Sequence, residues 1–194
     1  MRFTYSTMRF GKKERSVTIY HLRKPIMKGL VGLGGMIRSK LFAAPISLNI
    51  DRRPEDERDY FCMCLSHDPN NDRASIWMEE AAFYGIKRGE PMARTALFHE
   101  LGHKYHGHRL KTSEERDAYD GARVTFADDG QVKPEELDAD QFAVDYLGRD
   151  YVIKGLSDLK AALAARVSAD DDEKLKEAAL KELDLRIAKL KTQL

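Results

Sequence analysis

The sequence predicts an α+β fold, a small mixed sheet packed on a helix with metal-ligand spacing and on a following carboxylate helix, with an N-terminal β-hairpin and C-terminal helices. Three observations lead there. Met1 to Leu22 alternates as strands do, His99-Glu100-Leu101-Gly102-His103 lies in a helix-favouring run, and Glu136 and Asp140 share one face of a later helix. With 194 residues and 42% apolar content, the chain can bury one modest core.

Phe3, Tyr5 and Thr7 alternate with polar positions, Gly11-Lys12-Lys13 reads as a turn, and Val17-Thr18-Ile19-Tyr20 is β-branched and aromatic. Pro25 to Ala44 mixes Gly29, Gly32, Gly34 and Gly35 with apolar residues and reads as a helix with glycine contacts or a mobile, surface-seeking segment. It is no phosphate loop, because the terminal Gly-Lys-Ser/Thr is missing. Cys62 and Cys64 are too close for a disulfide and lack partners for a zinc site. Arg73 to Met78 follows a turn-rich stretch and reads as an edge strand that could receive an extended peptide. Its Trp77 could wall a cleft or pack the core.

Arg88-Gly89-Glu90-Pro91 supplies a turn and a proline suited to a first helical position, so a helix is expected from Pro91 through Tyr105. At 3.6 residues per turn, positions i and i+4 lie about 40° apart, so His99 and His103 can reach one ion. Glu100 then sits beside that ion, where a carboxylate can take a proton from water. A third ligand is still needed. An H-E-x-x-H-x-x-G-x-x-H extension would put glycine at 106 and histidine at 109, where this chain has His106 and Arg109. The better candidate is Glu136, on a helix opened by Pro134 and ended by Gly148, with Ala139 and Ala143 permitting close approach. Asp140, one turn on, is then free to accept a hydrogen bond from a ligand histidine.

These two motifs, His99 to His103 and Glu136 to Asp140, resemble the H-E-x-x-H and E-x-x-x-D pair of the M48-type zinc metallopeptidases; the likeness spans roughly residues 73 to 165. A related resemblance is to the ImmA/IrrE-type proteases. It implies a zincin-like fold of the gluzincin kind and a soluble zinc endopeptidase. One Zn2+ per chain would be held by His99, His103 and Glu136, with Glu100 as general base and Asp140 behind a ligand histidine. Members also carry a His-Pro segment and a basic residue downstream, whereas this chain has no histidine after His108 and no proline after Pro134. The group that would stabilise an oxyanion is therefore unassigned, with His106, Tyr146, Tyr151 and Arg149 as candidates.

Charge divides the chain. Residues 1–50 hold ten Lys or Arg and one acid, Glu14, giving +9, while residues 51–194 hold 23 basic and 31 acidic residues, giving −8. The basic segment could bind an anionic partner such as nucleic acid, or pair with the chain's own acidic half. It is expected either within the same fold or as an interaction arm, ahead of a catalytic core at 51–166 and an amphipathic helix at 167–194. Ser157 to Val167 and Asp170 to Leu194 read as helices, with Ser157 as a cap. Leu180, Leu183, Ile187, Leu190 and Leu194 form a stripe that could dock on the core or join two chains as a homodimer. No uncharged run, Gly29 to Ile37 among them, approaches the ~20 residues that span a bilayer, and no signal-peptide pattern appears, so a cytoplasmic setting is expected. The rival to an enzyme is an inactive or metal-stabilised scaffold that binds a partner.

Overall fold

A computed structural model describes residues 3–10, 15–54, 62–68, 73–108, 132–166 and 170–192. Six strands form one mixed sheet: β1 (Phe3–Phe10), β2 (Arg15–Lys28), β3 (Val31–Ser39), β4 (Ile46–Asp51), β5 (Met63–Asp68) and β6 (Arg73–Glu79). Five helices are described: α1 (Glu80–Arg88), α2 (Pro91–His106), α3 (Pro134–Leu147), α4 (Arg149–Ala164) and α5 (Asp170–Thr192). The sheet order is β1-β2-β3-β4-β6-β5, with β4 and β6 parallel and the other pairs antiparallel. None of the described helices is long and apolar enough to cross a membrane.

The expected hairpin is present, running from Phe3 opposite Leu22 to Phe10 opposite Arg15; its turn, residues 11–14, lies outside the described residues. The basic segment belongs to the sheet. Pro25 to Ala44 is neither a helix nor a loose segment, because β2 continues to Lys28, turns at Gly29 (φ +63°) and returns as β3. The glycines serve the register shift between these strands: a Cβ at Gly35 would lie 2.2 Å from the Tyr20 carbonyl oxygen, and one at Gly32 2.3 Å from that of Ile26. Glycine clusters at bulges look like helix contacts in sequence, since both need close backbone approach.

β6 is a strand as expected, but not the edge. It lies between β4 and β5, and among the described strands β5 is the outermost on that side. Ala74, Ile76 and Met78 of β6 are buried, with Leu48 and Ile50 of β4, in the cluster that includes Phe83, Leu97, Phe98 and Leu101. Trp77 alternates with them, faces the other side of the sheet and is only half-buried.

α2 lies at the centre of the helical layer. Its buried residues, among them Ala93, Leu97, Phe98, His99 and Leu101, cover more than one face, as expected of a helix enclosed between a sheet and other helices. Pro91 opens it and Gly107, in the left-handed region (φ +67°), ends it. The helix from Pro134 to Gly148 is also as expected. The next one starts at Arg149 rather than Ser157, whose hydroxyl instead donates to the Ile153 carbonyl one turn back (2.8 Å). On α5, Leu183, Ile187 and Leu190 are buried in the chain's own core, the docking use of the stripe that the sequence allowed.

Candidate metal centre

Three features of local sequence assemble the site. The i, i+4 spacing puts the two imidazoles of α2 on one face. Gly102, between them, lets α3 come so close that a Cβ there would lie 2.7 Å from Ala139 Cα. That approach brings Glu136, one turn before Ala139, over the histidine pair. The third feature is the Gly107 cap: it turns the chain back, so that the His108 N–H donates to the His103 carbonyl (3.1 Å) and the two rings meet.

His99 Nε2 lies 3.0 Å from His103 Nε2 and 3.0 Å from Glu136 Oε2, while His103 Nε2 lies 3.6 Å from Glu136 Oε1. These residues form a group that could hold a metal ion. The far nitrogens have partners too. His99 Nδ1 lies 2.9 Å from Asp140 Oδ1, and His103 Nδ1 lies 2.9 Å from His108 Nδ1. A metal on each Nε2 leaves the proton on each Nδ1, so His99 then donates to Asp140 and His103 to His108.

Glu100 has a partner of its own outside the trio. Its Oε2 accepts the Leu65 backbone N–H at 2.9 Å, which ties it to edge strand β5. Burial pushes its carboxyl up to about 7, and His99 and the Leu65 N–H work against that rise. Glu136 and Asp140 move the other way despite burial. A hydrogen bond and charge from His99, with Arg186 nearby, hold Glu136 well below the usual range, and Arg186 and His99 bring Asp140 down to about 2. Burial and the neighbouring His99 lower His103 to about 3. Burial and Arg186 oppose the proton on His99, but its bonds to Asp140 and Glu136 outweigh them and lift it to about 9.

Arg186 of α5 is the residue that sequence reasoning missed. It is 7% exposed, and its Nε and Nη2 donate to the two Asp140 oxygens at 2.8 and 2.6 Å. Nη1 lies 3.4 Å from Glu136 Oε2, and Nη2 3.0 Å from His99 Nδ1. A signal was present: Arg186 interrupts the apolar face carrying Leu183, Ile187 and Leu190, a position where a cation is costly unless paired. His108, just past the glycine cap of α2, also joins the site.

The structure thus brings His99, Glu100, His103, Glu136 and Asp140 together. It does not bring in the other candidates. Trp77 is on the opposite face of the sheet, Tyr146 packs its ring on Phe98 and Phe142 (5.2 and 4.8 Å between centroids), and the Tyr151 hydroxyl donates to the Gly89 carbonyl (2.7 Å). His106 is exposed at the end of α2, its ring stacked on His108. The chain matches no protein-family model, no curated protein and no solved structure, so its own geometry is what bears on function.

Proposed function

We propose that the chain is a zinc-dependent peptidase of zincin-like architecture, in which His99, His103 and Glu136 hold one Zn2+ and Glu100 is the general base. The observation that carries this reading is the separation of roles in one small cluster: three donors converge, and a fourth group, Glu100, stays off them against the edge strand. A tetrahedral zinc with bonds of about 2.0–2.1 Å needs donors roughly 3.3–3.4 Å apart. The two imidazole nitrogens stand 3.0 Å apart, and Glu136 turns one carboxylate oxygen to each of them, Oε2 to His99 at 3.0 Å and Oε1 to His103 at 3.6 Å, so the three side chains lie near that spacing. Two imidazoles and a carboxylate also leave a fourth position open, as hydrolytic zinc sites do.

Zinc bound there would supply Lewis acidity toward a carbonyl and toward water. The chain's own residues do the rest. Glu100, buried and pushed toward neutrality, can hold the proton that leaves the attacking water and pass it to the departing amine. Asp140 fixes the ring of His99, and Arg186 clamps Asp140 so that a buried carboxylate does not stand unpaired. β5 offers its outer side to an extended peptide. The Leu65 N–H already reaches Glu100 from that side, so a main chain added there would run past the base.

The test is Glu100→Gln in the zinc-loaded chain, read with an unbiased peptide-library cleavage assay. Turnover should fall about 10²–10⁴-fold while zinc content and melting temperature stay at wild-type values. A zinc-loaded wild type that cleaves nothing, or a variant that cleaves equally well, overturns the proposal.

A further inference from the structure

We propose that His106, His108 and Asp138 form a second divalent-metal site, weaker than the first and coupled to it through His103. Their donor atoms all lie within 4.8 Å of one another. The His106 and His108 rings stack at 5.4 Å with an interplanar angle of 15°, and Asp138 Oδ2 is 3.9 Å from His108 Nε2. The backbone builds this arrangement: the left-handed Gly107 reverses the chain between the two histidines, and α3 sets Asp138 opposite them.

The surroundings suit a cation. The trio stands at the carbonyl end of α2, where the helix dipole favours positive charge. His106 and Asp138 also rim a cavity of about 100 Å³ shared with Tyr105 and Gln141, room enough for waters to complete a coordination shell. Two imidazoles with a carboxylate select Zn2+, Co2+ or Ni2+ over Mg2+ or Ca2+, which prefer all-oxygen ligands. Exposure of His106 and Asp138 makes the site weaker than the first, more enclosed trio.

The coupling comes from counting protons along a chain of contacts. With its Nε2 toward the first ion, His103 donates its Nδ1 proton to His108 Nδ1, which leaves the His108 proton on Nε2, facing Asp138. A second ion takes Nε2 of His108 and displaces that proton. A neutral imidazole bound to metal through Nε2 carries its one proton on Nδ1, and there it meets the proton of His103 head on and breaks the bond that orients a first-site ligand. Loss of such a bond weakens metal affinity about 10–100-fold, so filling the second site loosens the first. Only this coupling rests on the zinc reading of the first site.

The experiment is titration of the metal-free full chain with Zn2+ by calorimetry, and with Co2+ by its visible absorption bands. The wild type should bind two equivalents, the second at least about tenfold weaker. The double variant His106→Asn, Asp138→Asn should keep the tight one only, and Glu136→Gln should lose the tight one and keep the weak one. Both residues of the double variant are exposed, and an unchanged melting temperature checks the fold. One equivalent in the wild type that the double variant retains overturns the second site and leaves the first standing. So do two equivalents that the double variant retains. A single equivalent abolished by the double variant but kept by Glu136→Gln upholds this site and overturns the peptidase centre instead.

Discussion

Gly102→Ala is the perturbation that most directly tests how the site is built. An alanine Cβ at 102 would lie 2.7 Å from Ala139 Cα and 2.9 Å from the Ala139 carbonyl oxygen. Carbon atoms pack best at about 3.5–4.0 Å, so α3 must retreat by about 1 Å. Backbone cannot rotate away as a side-chain tip can. Glu136 stands one turn from Ala139 and moves with it, whereas metal bonds tolerate only about 0.2 Å. Zinc affinity should therefore fall at least about tenfold, read by competition with a chromophoric chelator. Stability gives an independent sign. An open helical site would gain about 1 kcal/mol on Gly→Ala, while overpacking costs about 1–3 kcal/mol, so the metal-free chain should lose about 1 kcal/mol net and melt a few degrees lower. A variant with wild-type zinc affinity and a raised melting temperature would refute the claim that this close contact delivers the third ligand.

Three further outcomes follow from the same geometry. Arg186→Met removes both guanidinium bonds to the buried Asp140 carboxylate and leaves it with the His99 bond, which should cost about 3 kcal/mol and lower the melting temperature by about 10 °C; an unchanged melt would show that Asp140 does not depend on this partner. Asp140→Asn keeps the shape but removes the charge that fixes His99, and zinc affinity measured by chelator competition should drop about 10–100-fold. His21 is buried against Phe83, with no partner for its Nδ1 among the described residues, and burial, then Lys87 and Arg94, lower it to about 4. The unfolded chain binds a proton near pH 6.5 that the folded chain refuses, so stability is full above that value and falls by up to about 3 kcal/mol as pH drops toward 4. Denaturant titrations of His21→Leu against wild type should show that part of the acid loss removed, and parallel pH profiles would count against it.

What could be read from the sequence was what local geometry determines. Helical periodicity alone relates His99 to His103 and Glu136 to Asp140, and proline and glycine mark the ends of both helices. The hairpin followed from alternation over a few residues. The failures share a different cause. The strands of Pro25 to Ala44 depend on a register shift between two strands, and the edge position of β5 depends on where the chain crosses, neither of which a single segment encodes. Trp77 went astray with β6, because an interior strand presents its second face away from the helices.

Arg186 shows how a distant residue can be both invisible and recoverable. Its partners lie 46 and 87 positions away in sequence, so no motif spacing connects it to Asp140 or His99. Yet a guanidinium on an apolar helix face carries a physical demand, since burying it unpaired costs several kcal/mol. Some carboxylate in the core must answer that demand. Asp140, expected behind a ligand histidine, is the carboxylate that answers it. Joining the two needs no likeness to any known family, because one helix leaves a charge to be paired and another supplies the place for it. The same reasoning explains why the C-terminal helix belongs with the candidate metal site: its leucines bury against α4 and the core, and that docking holds the guanidinium against Asp140.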